Sequence, residues 1–304
     1  MKKVERISRK FFHKIHSKHL KIKSSKDRLR NLINEKNLSL PKNFLKNSNC
    51  LDAGCGSSFH GSINLINLGV KSVSAIDLDK SILKYEKNLK KNVLKENRNK
   101  LSVKIGSVLN LPYKNKSFDF VLCQGVLHHT VNPLKGIKEC YRVLKKGGFL
   151  YIQMMGKGGL IHEFVMTYLR DYYFSNRKFR LFFDRLNKKK FDKLIKFMQK
   201  NIKFGEKSRN LVGKKFLGIL IDLVDEDFIL TLRDRIASPI YEKYTFEEIK
   251  KILKKCKFKN TRRIYTKVSY KNMRNIFTYF YRFPNDDLSK FLYGSGLLNV
   301  ISKK

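Results

Sequence analysis

The chain has 304 residues, and 67 Lys and Arg against 25 Asp and Glu give it a formal net charge of +42. With 42% hydrophobic and 12% aromatic residues it is too apolar for a disordered polycation, and its length suffices for a folded core. No apolar run approaches the roughly 18 residues of a membrane span, and no apolar signal core follows the first residues, so we expect a cytoplasmic protein without a transmembrane segment.

Residues 4–35 predict one or two basic amphipathic helices. Val4, Ile7, Phe11 and Ile15 recur at helical spacing. Such an apolar stripe is typical of a helix that docks on a core. We therefore predict an N-terminal helical cap over residues 1–47, which can act as a lid on a ligand site.

Histidine and cysteine spacing predicts no metal site. The histidines His13, His16 and His19 repeat every third residue. Lysines surround them and no carboxylate adjoins them, so the segment repels a cation rather than binding one. The five cysteines include no Cys-x-x-Cys pair, and we expect reduced thiols.

From residue 48 onward short apolar strands alternate with helices. Strands are predicted at 50–53, 72–78, 101–106, 118–123 and 149–154. Helices are predicted at 62–68, 81–94 and 134–144. Alternation with short connections predicts a parallel, doubly wound α/β sheet within a core domain at 48–155.

Beyond this domain the alternation stops. Residues 156–240 predict a helical insertion or lid, entered through the glycine-rich run 156–159, which is a candidate hinge. Thr245 and Glu248 form the pattern of a capping box for a helix at 246–255. Strands at 258–268 and 297–302 then complete the core within residues 241–304.

A glycine pair marks the end of the first predicted strand. Gly54 and Gly56 follow Asp52, and glycines in such a turn let backbone amides approach a ligand. The dinucleotide fingerprint G-x-G-x-x-G would require a third glycine where Phe59 stands. The pattern therefore speaks against a nicotinamide-dependent dehydrogenase.

Further motifs follow in order along the core. They are Leu51-Asp52-Ala53-Gly54-Cys55-Gly56, Ile76-Asp77-Leu78, Leu111-Pro112-Tyr113, Phe118-Asp119-Phe120-Val121 and Leu127-His128-His129. This layout resembles the class I S-adenosylmethionine (SAM)-dependent methyltransferases of the small-molecule type, over about residues 49–152. The resemblance implies a Rossmann-like, seven-stranded sheet with an antiparallel last strand, and SAM as cofactor.

The resemblance also implies a cofactor site. Its residues would be Asp52, Gly54, Cys55, Gly56, Asp77, Leu78, Ser107, Val108 and Gln124. Asp77 would hold the ribose and Leu78 would pack on the adenine. Ser107 departs from the family pattern, since an Asp often stands there, and Ser58 replaces a common third glycine. Asp119 is expected to serve the fold.

His128 and His129 are the candidate catalytic bases. Transfer from a sulfonium needs mainly alignment, and a base is needed only if the accepting atom must lose a proton. A structural role for this pair is the alternative, and His60 and Tyr113 are weaker candidates for a catalytic base. Aromatic residues of the insertion could line an apolar acceptor site, although core packing is the preferred explanation; they are Phe164, Tyr168, Tyr172, Tyr173 and Phe174.

Three functions are compatible with the sequence. The first is methyl transfer to an oxygen or nitrogen of a small-molecule acceptor, such as a metabolite, a lipid-linked or a sugar-type compound. The second is an RNA methyltransferase, and the third is a non-catalytic binding protein on a membrane surface. The net charge predicts non-specific contact with nucleic acid or anionic membranes. About +20 of this charge lies after residue 152, in the region expected to shape the acceptor site, and this favours an anionic acceptor.

Overall fold

A computed structural model describes residues 3–19, 33–201, 207–265 and 272–304. Its centre is a seven-stranded sheet. The strands are β1 Asn49–Ala53, β2 Ser72–Asp77, β3 Leu101–Ile105, β4 Phe118–Gln124, β5 Leu144–Met155, β6 Lys259–Ile264 and β7 Leu297–Lys303. Their order across the sheet is β3-β2-β1-β4-β5-β7-β6.

The sheet has the predicted doubly wound topology. The first five strands run parallel to their neighbours, so that β1 pairs with both β2 and β4. The last strand, β7, is antiparallel to β5 and to β6. From β1 the strand order runs to β2 and β3 on one side and to β4 and β5 on the other, and ligands bind at such a switch point. The predicted fold class is confirmed.

Both faces of the sheet are covered, which explains why its central strands are apolar throughout. Cys50 packs in the cluster on one face with Leu65, while Leu51 packs in the cluster on the other face with Ile137. Asp119 accepts hydrogen bonds from the backbone N–H of Asn49 at 2.9 Å and from Lys145. This carboxylate ties β4 to β1, in the structural role expected for it.

Helices surround the sheet. Before and within the core they are α1 Lys3–His19, α2 Glu35–Leu38, α3 His60–Asn67, α4 Ile82–Leu89 and α5 Pro133–Val143. After β5 they are α6 Met166–Ser175, α7 Arg177–Arg185, α8 Lys188–Asn201, α9 Lys207–Leu223, α10 Glu226–Ala237, α11 Phe246–Lys255, α12 Thr278–Arg282 and α13 Asp287–Tyr293. No helix in these ranges is long and apolar enough to cross a bilayer.

One predicted helix is interrupted. The pattern at 81–94 predicted a single helix, but α4 ends at Leu89 and a π-helical turn follows at Lys90–Leu94. Leu89 and Leu94 are both buried and lie five positions apart in the chain. A π turn closes at that spacing, so it keeps both leucines on the core side.

The helix start at Thr245 is confirmed in detail. The Thr245 hydroxyl accepts from the Glu248 N–H at 3.1 Å, and the Glu248 carboxylate accepts from the Thr245 N–H at 2.7 Å. The next strand is shorter than predicted, since β6 ends at Ile264, and part of the predicted 258–268 strand lies outside the described residues.

The glycine-rich run after β5 is packed rather than open. Gly159 and Gly294 lie so close that a Cβ on Gly159 would stand 2.2 Å from the Gly294 nitrogen. Lys157 donates its N–H to Tyr244 and accepts from the N–H of Ser295. A run bonded on both sides is a seam between β5 and the C-terminal segment, not the flexible hinge that its glycines suggested. The division into four segments stays a prediction.

The basic amphipathic pattern at the N-terminus forms the helix α1 over Lys3–His19. The second helix predicted before residue 35 falls mostly on residues 20–32, outside the described residues. The five cysteines are free and buried, in line with the expectation of reduced thiols.

Candidate active site

A cavity of about 290 Å³ lies at the carboxyl ends of β1, β2 and β4. Loops that follow these strands form its floor, and α1 and α10 add walls. All nine residues predicted for the cofactor site line this cavity: Asp52, Gly54, Cys55, Gly56, Asp77, Leu78, Ser107, Val108 and Gln124. Residues that follow different strands in the sequence therefore lie together in one cavity.

The glycine turn after β1 is held against β2. The N–H groups of Gly54 and Cys55 donate to the carbonyl oxygen of Ile76, at 2.8 and 3.1 Å. Gly54 has a φ of +85°, and a Cβ there would stand 2.4 Å from Val126. Only glycine fits this position, because both the backbone conformation and the space exclude a side chain.

Asp52 is buried at the end of β1. Its carboxylate accepts from the Ser62 hydroxyl at 2.6 Å. Burial raises the pKa of Asp52 to about 6, with the nearby Asp77 adding to the rise. A carboxylate held in this way favours a cationic group at the cavity wall.

Asp77 links the two loops and faces the same cavity. One oxygen accepts from the Gly56 N–H at 2.9 Å, and the other from the Asp79 N–H at 3.0 Å. A carboxylate offers about four acceptor positions, so two bonds leave capacity for ligand hydroxyls. Leu78, next along the chain, adds an apolar surface to the cavity.

The loop after β3 contributes a hydroxyl and an apolar side chain. The Ser107 hydroxyl accepts from the Leu109 N–H at 3.1 Å, and Val108 is buried beside it. Ser107 thus fixes its own turn, where a longer Asp side chain would reach into the cavity. Cys55 has a buried thiol whose pKa is raised well above its ordinary value by burial, then by Asp77 and Asp52. A neutral thiol of this kind is a packing group.

The two candidate bases are separated by the structure. His129 lines the cavity, with its Nδ1 2.8 Å from the Ile240 carbonyl oxygen and 3.0 Å from the Ser238 hydroxyl. Its Nε2 lies 3.6 Å from an Asp234 carboxylate oxygen. His128 is 2% exposed and is absent from the cavity lining among the described residues.

Several cavity residues come from outside the predicted site. The α1 helix provides Ser8, Phe12 and His13, and the Phe12 ring lies 4.6 Å from the His129 ring. The amphipathic pattern of α1 signalled a docking helix, and the helix was predicted as a lid. No local signal marked Asp234, because it stands inside an ordinary amphipathic helix, α10.

The insertion contributes less to the cavity than expected. The aromatic residues Phe164, Tyr168, Tyr172, Tyr173 and Phe174 do not line it among the described residues. Tyr173 is buried in a separate cluster with Phe183, while Phe164 is 72% exposed. Packing and exposure, rather than ligand contact, account for their positions.

The cavity residues fit SAM. The cofactor carries a cationic sulfonium and an ammonium, which the buried Asp52 carboxylate complements, and ribose hydroxyls, for which the Asp77 carboxylate has acceptor positions left. A glycine turn without side chains admits its methionine end, and apolar surface from Leu78 and Val108 suits an adenine ring.

Comparison with known families agrees with this geometry. Residues 51–152 match the family described as "Methyltransferase domain". This part of the chain is a class I SAM-dependent methyltransferase domain. SAM is the cofactor of that family, and the matched residues run from the middle of β1 into β5.

Curated relatives match the same region. The protein MJ0638 of Methanocaldococcus jannaschii, described as uncharacterized, is 36% identical over 43% of this chain and 52% of its own. A tRNA U34 carboxymethyltransferase of Campylobacter fetus is 31% identical over 36% of this chain and 38% of its own. A demethylmenaquinone methyltransferase of Staphylococcus epidermidis is 29% identical over 45% of this chain and 58% of its own. The chain spans between about a third and three fifths of the length of these relatives.

Proposed function

We propose that the protein transfers a methyl group from SAM to an oxygen or nitrogen of a small-molecule acceptor. The observation that carries the proposal is the Asp77 carboxylate, which bonds the Gly56 N–H and faces the same cavity as buried Asp52. When bound, SAM supplies a methyl group that its sulfonium already activates, so that the protein need only align the acceptor.

The chain's own residues have distinct parts in this proposal. Asp77 accepts hydrogen bonds from the ribose hydroxyls, and the turn at Gly54 and Gly56 receives the methionine end. Gln124, at the end of β4, faces the acceptor side. His129 takes the proton where the accepting atom carries one, because its Nδ1 contacts fix the ring at the cavity wall.

The N-terminal helix supports a small acceptor. Ser8 and Phe12 of α1 line the cavity together with the loops after the strands. A lid of this kind excludes water from a small bound molecule, which favours transfer from a sulfonium.

An RNA acceptor is the second candidate. The net charge of +42 would attract a polyanion, and one curated relative is named a tRNA U34 carboxymethyltransferase. RNA binding that persists at physiological salt would support this alternative.

Calorimetric titration with SAM tests the cofactor site. We expect Asp77→Ala to weaken SAM binding by about 30-fold or more, since charge-assisted hydrogen bonds contribute roughly 1.5–3 kcal/mol each. Asp287→Ala, which removes a fully exposed carboxylate, serves as the control. Equal affinities in the two variants would rule out the assigned site.

Methyl-labelled SAM and a fractionated cell extract test the acceptor. Label in small metabolites or lipid supports the proposal, whereas label in RNA supports the second candidate. Failure of the wild type to bind SAM, together with binding to anionic vesicles, would support the non-catalytic alternative.

A further inference from the structure

We propose that a polar cluster around Arg235 binds an oxyanion, a carboxylate or phosphate group carried by the methyl acceptor. The cluster consists of Arg235, Tyr241, Tyr281, Tyr293 and His162. The inference rests on the proposed function, because it names the chemistry of the acceptor. It adds a second recognition site beside the cavity that receives SAM.

The Arg235 guanidinium has few hydrogen-bond partners within the described part of the chain. A guanidinium presents five N–H donors, yet that of Arg235 makes one hydrogen bond to the described residues, a long one of 3.4 Å to the Tyr293 hydroxyl. No carboxylate there lies within 4.0 Å of it. Arg235 is half-buried, so donors of its guanidinium stay accessible and an anion can supply the opposite charge that the described residues do not.

Other arginines of the same region are paired. Arg233 donates to the carbonyl oxygens of Phe183, Asp184 and Leu186. Arg170 donates to three carbonyl oxygens of the segment that follows Asp234. Arg235 differs from both, since each of these two arginines donates to three carbonyl oxygens and Arg235 makes a single long hydrogen bond to the described residues.

The groups around Arg235 add further donors. The Tyr241 hydroxyl is buried and has no hydrogen-bond partner among the described residues, and the same holds for His162 Nε2. His162 is 1% exposed, and its ring lies 4.5 Å from the Tyr293 ring. The Tyr293 hydroxyl lies 2.9 Å from that of Tyr281. Hydroxyl and imidazole N–H groups complete the kind of donor set that oxyanions bind.

The charges near the cluster are mostly positive. The Arg170 guanidinium stands over the Tyr241 ring at 4.9 Å. Burial, then Arg235 and Lys243, lowers the pKa of His162 to about 3, so this imidazole is neutral near pH 7. Lys243 is paired with Glu163 at 2.8 Å, and the Asp234 carboxylate lies toward His129. The net charge of the cluster therefore favours an anion.

The cluster adjoins the cavity through the histidine pair. The Tyr241 ring lies 5.7 Å from the His129 ring and 6.0 Å from the His128 ring. His129 and Asp234 line the cavity, and Arg235 follows Asp234 directly. An acceptor whose oxyanion contacts Arg235 can extend past Tyr241 toward His129. A planar guanidinium suits this task because its fork matches two oxygens of a carboxylate or phosphate.

Thermal unfolding of the full chain with bound S-adenosylhomocysteine tests the site, with inorganic phosphate and acetate as separate probes. We expect either anion to raise the Tm of the wild type, with an apparent Kd at least tenfold weaker in Arg235→Gln. Arg282→Gln removes an exposed guanidinium and should respond like the wild type. An equal response of Arg235→Gln and the wild type would overturn the proposal.

Stability without added anion separates binding from a structural role. An uncompensated guanidinium predicts that Arg235→Gln is at least as stable as the wild type in buffer free of both probes. A lower Tm of that variant in this buffer would make Arg235 a structural residue and overturn the proposal. Arg235→Lys should keep a weakened anion response, since it retains the charge without the fork.

A competition experiment tests whether the anion at the cluster occupies the place of a group of the methyl acceptor. Phosphate or acetate should inhibit methyl transfer from labelled SAM competitively in the wild type and much less in Arg235→Gln. An anion response without inhibition would mean that a free ion binds the cluster and would overturn the assignment to the acceptor. SAM titration is read separately, so loss of SAM binding with an intact anion response would reject the proposed function alone.

Discussion

The Nδ1 atom of His13 lies 2.7 Å from a carboxylate oxygen of Asp79. This contact joins α1 to the loop after β2, and both residues line the cavity. Burial opposes ionisation of Asp79, but hydrogen bonds from Ser81 and His13 prevail and lower its pKa. The pair therefore fixes the lid at the point where the ribose of SAM is expected.

Removal of the imidazole should loosen this lid. We expect His13→Ala to weaken SAM binding by about threefold, the size of one partly exposed hydrogen bond of roughly 0.5–1 kcal/mol. Amides of α1 should also exchange hydrogen faster. Lys10→Ala alters an exposed residue of the same helix and serves as the control. Identical exchange in both variants would show that the contact does not hold the helix.

We expect the Asp52 carboxylate to lower the stability of the folded protein at neutral pH while it contributes to cofactor binding. Its raised pKa of about 6 means that the folded state binds more protons than the unfolded state between about pH 3.8 and 6. Stability contributed by this group therefore falls as pH rises through that interval, by up to about 3 kcal/mol, and is constant above it.

We accordingly expect Asp52→Asn to be at least as stable as the wild type at pH 7, and to bind SAM more weakly. The stability difference should shrink to about 1 kcal/mol at pH 4.5. Urea unfolding at the two pH values measures it. A variant that is less stable than the wild type at pH 7 would contradict the account of burial.

His129 and His128 should respond differently to the same change. We expect His129→Gln to lower turnover by about 100-fold or more, within the range of a general base, and to leave the SAM Kd unchanged. Burial, then His129, lowers the pKa of His128 well below its ordinary value, so His128 stays neutral and should act in packing.

His128→Gln should therefore reduce the free energy of unfolding more than it reduces turnover per folded molecule. Steady-state kinetics beside urea unfolding compares the two variants. Equal loss of turnover in both would leave His129 without a special role.

The seam between Gly159 and Gly294 should be intolerant of side chains. A Cβ on Gly294 would meet the Gly158 backbone at 2.2 Å, and Gly294 has a φ of +60°. We expect Gly294→Ala to cost about 2–4 kcal/mol from strain and overpacking. Gly147 has a φ of +82° with nothing within 4 Å of an added Cβ, so Gly147→Ala should cost only about 1 kcal/mol. Urea unfolding that gives equal costs would mean that the seam can open.

The sequence predicted the elements that depend on local pattern. The alternation of strands and helices, the capping box at Thr245 and the cofactor loops near Gly54 and Asp77 all follow from neighbours in the chain. Arg235 and Asp234 did not stand out, since their importance arises only when α10 packs beside the strand ends. The glycine run at 156–159 was predicted to be a hinge because the residues that pack against it, at 293–296, are more than 130 positions away in the chain.

Because β7 comes late in the sequence, one edge of β5 has no partner strand until β7 has been synthesised. The outer edge of β5 pairs with residues 297–303, and β6 joins the sheet only through them. During translation the parallel strands can assemble while the edge of β5 is still bare, until the ribosome has made residues that come some 140 positions later. An unpaired edge of this kind invites association with other chains. We expect the net charge of +42 to oppose such association, because like-charged chains repel one another.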